Sequence, residues 1–192
     1  MRDLDIRRAL LVNMKALHSE EPDTRVVEEL GLCQGESRVD IAVVNGSLSG
    51  FEIKSERDTL YRLPGQSNTY SLVFDFVTVV TSVSHLPKVK QIVPPWWGIQ
   101  VARLCGKTVK LHVQRRPKRN KNIQPSALVQ LLWRDEALQI LEEKGLVDGY
   151  RSKSKRLIWS HLAAVLEVSD LQEVVRQKLK ARANWRVGAP QM

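Results

Sequence analysis

Hydrophobic and polar positions alternate along this chain with two periods, and the switches between them mark out its elements. Residues 2–18 place Leu4, Ile6, Leu10, Leu11, Met14 and Leu17 at helical spacing, with Asp3 as the expected N-cap. Pro22-Asp23 ends that helix. Val26 to Leu32 reads as a strand. Arg38 to Val44 alternates Val39, Ile41 and Val43 with Asp40 and Ala42, and Leu48 to Lys54 alternates Phe51 and Ile53 with Glu52 and Lys54, which predicts two strands around Asn45-Gly46. Thr59 to Leu72 is predicted helical, interrupted near Pro64-Gly65, where Pro can open a second segment. Phe76 to Thr81 has the β-branched run of a buried strand.

Beyond the turn or boundary Pro94-Pro95-Trp96-Trp97-Gly98, Ile99 to Arg103 and Val109 to Val113 predict a hairpin across Cys105-Gly106, followed by a loop over 115–121. Ser126 to Lys144, Arg156 to Leu166 and Leu171 to Ala183 predict helices, the last with Ser169 and Gln172 as a capping box. The order helix, three strands, helix, strand, hairpin, helices implies an α/β core with an α-helical C-terminal appendage. Residues 1–98 are expected to form the core, and 99–192 a hairpin and helical region packed on it.

Composition changes the picture through the placement of charge. The 192 residues carry a net charge of +9. Residues 1–98 are net −2 and residues 99–192 net +11. Between 103 and 121 stand eight basic side chains and no acidic one: Arg103, Lys107, Lys110, Arg115, Arg116, Lys118, Arg119 and Lys121. Such a stripe is the electrostatic footprint of a polyanion-binding surface. Trp96, Trp97 and Trp185 are candidates for stacking on bases, whereas Trp133 and Trp159, on helices among leucines, are expected to pack. The most apolar run, Leu72 to Val83, is too short to span a bilayer and is interrupted by Asp75. No secretory signal is evident, and the two cysteines, Cys33 and Cys105, make no disulfide framework, so a reduced cytoplasmic setting without membrane partners is expected.

Candidate chemistry lies on the two strands at 38–54. Period two puts Glu52 and Lys54 on one face. A two-residue turn at Asn45-Gly46 would send Asp40 and Glu52 to opposite faces. A three-residue loop with Val44 facing Leu48 pairs Asp40 with Glu52 and Ala42 with Gly50, leaving small residues beside the carboxylates, and this is the register predicted. Two carboxylates and a lysine there suit Mg²⁺, a cation that takes oxygen ligands and keeps its waters. Glu28 and Glu29 on the preceding strand are candidates for a third acid. Strict alternation allows only one of them to share the face of Asp40. Arg57 and Asp58 follow the motif; Arg57 is a candidate for a phosphate and Asp58 for a cap. His18, His85, His112 and His161 show no metal-ligand spacing, and of these His85 alone could approach the site.

The stretches R-V-D-I-A-V-V and G-F-E-I-K-S resemble the PD-(D/E)XK nuclease superfamily, with Asp40 and Glu52 in the acidic positions, Lys54 as the lysine and Val39 in place of the proline. Gln66 and Tyr70, four apart, resemble the Q-x-x-x-Y element of its RecB-like members. E-I-K-S with the downstream R-L-P-x-Q resembles an uncharacterised bacterial family. The resemblance covers roughly residues 1–85 and implies a restriction-endonuclease-like core. It further implies a Mg²⁺- or Mn²⁺-dependent deoxyribonuclease for repair, restriction or defence. In that reading Asp40, Glu52, the Ile53 carbonyl and Glu29 or Glu28 hold the metal. Lys54 orients the attacking water or stabilises the phosphate, and Gln66 and Tyr70 position DNA. Arg57 and the 103–121 stripe grip its backbone. A second reading has the acidic site as a relic and the basic hairpin and helices as a non-catalytic nucleic-acid-binding or regulatory module. DNA is the expected partner in both, with RNA as an alternative and the C-terminal helices available for a homodimer or a protein partner.

Overall fold

A computed structural model describes residues 1–182; the expected stacking role of Trp185 and the end of the last predicted helix at Ala183 lie outside them. The chain is a mixed α/β structure built on one sheet of six strands in sequence order, β1 (Arg25–Leu32), β2 (Ser37–Val44), β3 (Leu48–Lys54), β4 (Phe76–Ser82), β5 (Gly98–Cys105) and β6 (Thr108–Arg115). Neighbours β1–β2, β2–β3 and β5–β6 run antiparallel, whereas β3–β4 and β4–β5 run parallel. The parallel steps need crossovers, which α2 (Leu63–Ser71) and α3 (Leu86–Ile92) supply. The predicted order of helix, three strands, helix, strand is present.

Both sheet faces are covered. On one, α1 (Asp3–Leu17) buries Ile6, Leu10 and Met14 against Ile41, Val43, Ile53, Val80 and Ala102. Its N-cap is Arg2 rather than Asp3; the Arg2 N–H donates to Asp5 Oδ2 at 2.9 Å, so the acid serves from inside the first turn. The larger core joins Ala42, Val44, Leu48, Val77, Val79 and Ile99 to Leu63, Tyr70, Phe74 and Trp97, and to the C-terminal helices through Leu128, Leu162 and Val175. This core draws on residues to either side of position 98, and β5 and β6 continue the sheet of β1–β4.

The C-terminal helices depart from the predicted bounds. The single helix expected over 126–144 is α4 (Pro125–Leu128), a 3₁₀ turn (Val129–Leu131) and α5 (Arg134–Glu143). Leu132 and Trp133 are extended, and the Trp133 N–H donates to Glu136 at 2.7 Å, starting a new helix there. α6 (Lys155–Val165) follows. α7 (Val168–Ala181) begins before the expected capping box, with Glu167 as N-cap and Ser169 inside the first turn. Trp159 is buried and its Nε1 donates to the Leu132 carbonyl, whereas Trp133 is half exposed beneath the Arg182 guanidinium. Trp97 is fully buried and stacked on Tyr70 with ring centroids 6.0 Å apart, which removes it as a surface for bases.

Candidate functional site

The β2–β3 turn follows the longer of the two geometries considered. Val44 pairs with Leu48 and Ala42 with Gly50, leaving Asn45, Gly46 and Ser47 in the loop. Asn45 Oδ1 accepts the Ser47 N–H at 3.0 Å, an Asx turn that closes it. The ladder ends at Ile41 with Phe51, so the expected Asp40–Glu52 pair is not formed; the two acids lie beyond it at one end of the strands, near enough for Glu52 to act on Asp40. A Cβ on Gly50 would stand 3.0 Å from the Phe74 ring, so the small residue lets the core close up beneath the carboxylates.

Glu52 and Lys54 are both buried, and Lys54 Nζ donates to Glu52 Oε1 at 2.6 Å. Gln66 Nε2 reaches the same oxygen at 2.6 Å. The Tyr70 hydroxyl lies 2.6 Å from Glu52 Oε2 and 2.7 Å from the Arg38 carbonyl, two acceptors for its one proton. Burial and then the Glu52 charge raise the Tyr70 phenol far above its ordinary range, so it stays a donor. Five of the expected residues, Asp40, Glu52, Lys54, Gln66 and Tyr70, thus converge, with α2 presenting Gln66 and Tyr70 one turn apart.

Asp40 is held on both oxygens. Oδ2 accepts the Ile53 N–H at 2.7 Å, beyond the last β2–β3 ladder pair, Ile41 with Phe51. Oδ1 accepts from Arg7 Nη2 at 2.8 Å, and Arg7 Nη1 donates to the Asp40 carbonyl at 3.1 Å. The same Nη2 lies 2.9 Å from Glu29, with Glu28 at 3.6 Å from Nη1 and Asp3 at 3.3 Å from Nε. One guanidinium on α1 therefore stands among four carboxylates. Burial works against its charge, but Asp40, Asp3 and Glu29 outweigh burial and raise its pKa. Burial and then Glu52 push Asp40 up to about 7, against the pull of the Ile53 N–H and Arg7.

The choice between Glu28 and Glu29 does not arise in the form alternation gave it, since both reach Arg7. Glu29 has φ 57°, a left-handed conformation costing a non-glycine residue on the order of 1–3 kcal/mol. The β1–β2 ladder runs from Glu28–Ile41 to Leu30–Val39 without a Glu29–Asp40 pair. Past this kink Val39 packs in the larger core, although Ile41 and Val43 pack under α1. The expected single apolar face of Val39, Ile41 and Val43 is corrected accordingly.

These residues do not fit a divalent cation as they stand. Each oxygen of Asp40 and Glu52 already accepts a hydrogen bond inside the protein, and Arg7 and Lys54 supply positive charge at both acids. Like unit charges about 4 Å apart repel by about 4 kcal/mol at an effective dielectric of about 20, and a divalent ion doubles that. Among the described residues, no three His, Cys, Asp or Glu side chains are grouped to hold a metal.

The basic stripe divides into structural and exposed members. Arg115 Nε donates to the Trp97 carbonyl at 2.6 Å and its Nη2 to the Pro94 carbonyl at 3.0 Å, binding β6 to the α3–β5 connection. Arg119 pairs with buried Asp75 at 3.1 Å. Arg103, Lys107, Lys110, Arg116, Lys118 and Lys121 are exposed, as is Arg57 beyond β3. The register aligns Lys54 with Thr81, Thr81 with Val101 and Val101 with His112, so the hairpin cations at 103 and 110 share the sheet face that carries Lys54. Asp58 caps the turn after β3, accepting from the Ser55 N–H and hydroxyl, and His85 Nε2 lies 2.9 Å from the Asp58 carbonyl.

Sequence reasoning missed Arg7, which is 33 residues from Asp40, and Asn120, whose side chain donates to the Ser71 and Phe74 carbonyls. The Asp3–Arg7 spacing on one helix face was the available signal for the first. Among the described residues no helix is long and apolar enough to cross a membrane, and Cys33 and Cys105 are free thiols.

The family described as Bacteriophage P4 protein cII matches residues 2–186. Protein cII of Enterobacteria phage P4 is 25% identical over 160 residues, 83% of this chain and 60% of that protein, so the chain spans about 60% of the length of this relative. A solved structure titled as the SPO1766 protein of unknown function from Silicibacter pomeroyi shares 16% identity at a TM-score of 0.43, covering 78% of this chain and 92% of that one. The family match overturns the PD-(D/E)XK assignment and, with it, the nuclease and hydrolase reading and its setting in repair, restriction or defence. The local D…E-x-K and Q-x-x-x-Y patterns are present and convergent. They are short, and a match over nearly the whole chain outweighs them.

Proposed function

Since the chain belongs to the bacteriophage P4 protein cII family, we propose that it is a non-catalytic nucleic-acid-binding module that acts in regulation. One observation carries this reading. Arg103 and Lys110 are exposed and stand directly opposite each other on β5 and β6, in a segment with no acidic residue from 103 to 121. Like charges in that position cost stability. A phosphate backbone lying over the hairpin relieves the cost and releases counterions as it binds. Lys107 at the hairpin tip and Arg116, Lys118 and Lys121 beyond it extend the surface. The strand edge gives these side chains a rigid base. The segment after β6 is held by Lys118 N–H to the Trp96 carbonyl and Asn120 N–H to the Asp75 carbonyl, both 2.8 Å. In this reading the cluster of Asp40, Glu52, Lys54, Gln66 and Tyr70 is a buried polar network that fixes α1 and α2 on the sheet.

The test is fluorescence anisotropy of labelled double- and single-stranded DNA, and of RNA, with the purified chain in Mg²⁺ and in chelator. Binding of equal strength in both, unchanged by Lys54→Ala, supports the reading. Binding that requires Mg²⁺, or metal-dependent cleavage lost in Lys54→Ala, overturns it.

A further inference from the structure

We infer that Arg7 is a built-in counter-cation, a guanidinium that occupies the place between Asp40 and Glu29 where an ion would otherwise balance their charge, and so closes this acidic cluster to divalent metals. The inference stands independently of nucleic-acid binding.

Asp3, Glu28, Glu29 and Asp40 come from three elements, and carboxylates gathered this closely need a positive charge to fold together. Two solutions exist. A bound cation is one, but it makes the fold depend on metal. A guanidinium is the other, and its planar fork can address several oxygens at once. Here Nη2 bridges Asp40 Oδ1 and Glu29 Oε1 at 2.8 and 2.9 Å, so a single nitrogen serves both acids. The side chain is only 13% exposed. Its base is on α1, whose Ile6 and Leu10 are packed in the core, and the fork makes further bonds to Asp3 and the Asp40 carbonyl. Arg38 pairs with the other oxygen of Glu29 at 2.7 Å, which shields this acid from a second side. The left-handed backbone at Glu29 is explained by the same contacts, because it lets Glu28 and Glu29 both turn toward one cation.

The test is Mn²⁺ binding, followed by electron paramagnetic resonance of the free ion, with the wild-type chain, Arg7→Gln, and the double variant Arg7→Gln/Asp40→Asn. Circular dichroism in chelator reports folding. The expected result is no uptake by wild type, Mn²⁺ binding at least about tenfold tighter in Arg7→Gln, and loss of that gain in the double variant, as removal of one nearby positive charge predicts. Equal uptake by wild type and Arg7→Gln that Asp40→Asn abolishes overturns the inference, as does a folded Arg7→Gln with no gain. If Arg7→Gln does not fold, the wild-type chain decides. Uptake lost in Asp40→Asn overturns the inference, and no uptake at this carboxylate upholds it.

Discussion

Arg103 on β5 and Lys110 on β6 are directly paired across an antiparallel ladder at the exposed end of the sheet. Their positions set stability against binding. Replacing either with Ala removes a like-charge repulsion, so the thermal midpoint is expected to hold or rise slightly. Nucleic-acid affinity is expected to fall, and the slope of log affinity against log salt to flatten by about 0.9 for each duplex phosphate that is no longer neutralised. Anisotropy titrations across salt concentrations, together with a melting curve for each variant, check both halves. A variant with weaker affinity but an unchanged slope would mean that neither cation faces phosphate.

Asp40 gives the fold a pH dependence of unusual sign. An ordinary aspartate in an unfolded chain titrates near 3.9, whereas burial first and Glu52 second push the folded group up to about 7. Between those values the folded state binds more protons, so this group's contribution to stability falls as pH rises from about 4 to about 7. Asp40→Asn keeps an acceptor for the Ile53 N–H and cannot ionise. Relative to wild type it is expected to gain on the order of a few kcal/mol between pH 4.5 and pH 8. Urea unfolding of both proteins at the two pH values reads this difference and cancels any pH-independent cost of the substitution.

The register of β2 and β3 was legible because a residue size had to be accommodated as well as a turn. Asn45-Gly46 alone suggests a tight hairpin, but only the longer loop sets Gly50 against Ala42 and Phe51 against Ile41. The convergence of Gln66 and Tyr70 on Glu52 was equally legible, from a spacing of four on a helix that follows β3. Periodicity could not show the kink at Glu29, which breaks the alternation that any strand reading assumes. Nor could it show α3, a seven-residue helix with Pro in its first turn, which is shorter than a periodic signal needs. The family was the costliest error. Local motifs on two strands and a helix suggested the PD-(D/E)XK family, whereas the pairing of Asp40 with Arg7, 33 residues away, depends on a tertiary contact.

Gly98 opens β5 at a point where two other chain segments press close. A Cβ there would stand 2.6 Å from Thr78 Oγ1 and 2.8 Å from Pro117 Cδ. Thr78 is the β4 partner of Gly98, and Pro117 begins the anchored part of the basic segment. Gly98→Ala is expected to destabilise the fold by about 1–3 kcal/mol through overpacking. Because the strain falls on Pro117, it is also expected to weaken nucleic-acid binding more than the stability loss alone explains. Denaturation curves paired with binding measured well below the melting point separate the two effects.

Asp75 has the largest expected effect, since one buried carboxylate closes three parts of the molecule onto one another. In the sequence it is only the polar interruption of an apolar run. In the structure it is 1% exposed, and its Oδ2 accepts the Leu48 N–H at 2.7 Å, which ties the start of β3 to the residue before β4. Its Oδ1 accepts from Gln172 on α7 at 2.7 Å and pairs with Arg119 of the basic segment at 3.1 Å, while Arg176 of α7 lies 3.8 Å from Oδ2. Removing the carboxylate leaves a buried amide unpaired and two guanidinium groups without their shared anion. Asp75→Ala is therefore expected to cost about 2–4 kcal/mol, from the unpaired Leu48 N–H and the lost charge-assisted bond of Gln172, since Arg119 is largely exposed and Arg176 keeps Glu173. Asp75→Asn retains an oxygen for Leu48 and an approximate shape, and is expected to cost about half as much or less. The comparison also bears on function, because Arg119 and Asn120 position the basic residues on either side of them. In Asp75→Asn the fold should survive while affinity for nucleic acid falls, and hydrogen exchange should speed up in both α7 and residues 116–121. Faster exchange in only one of those two segments would mean that Asp75 does not couple them.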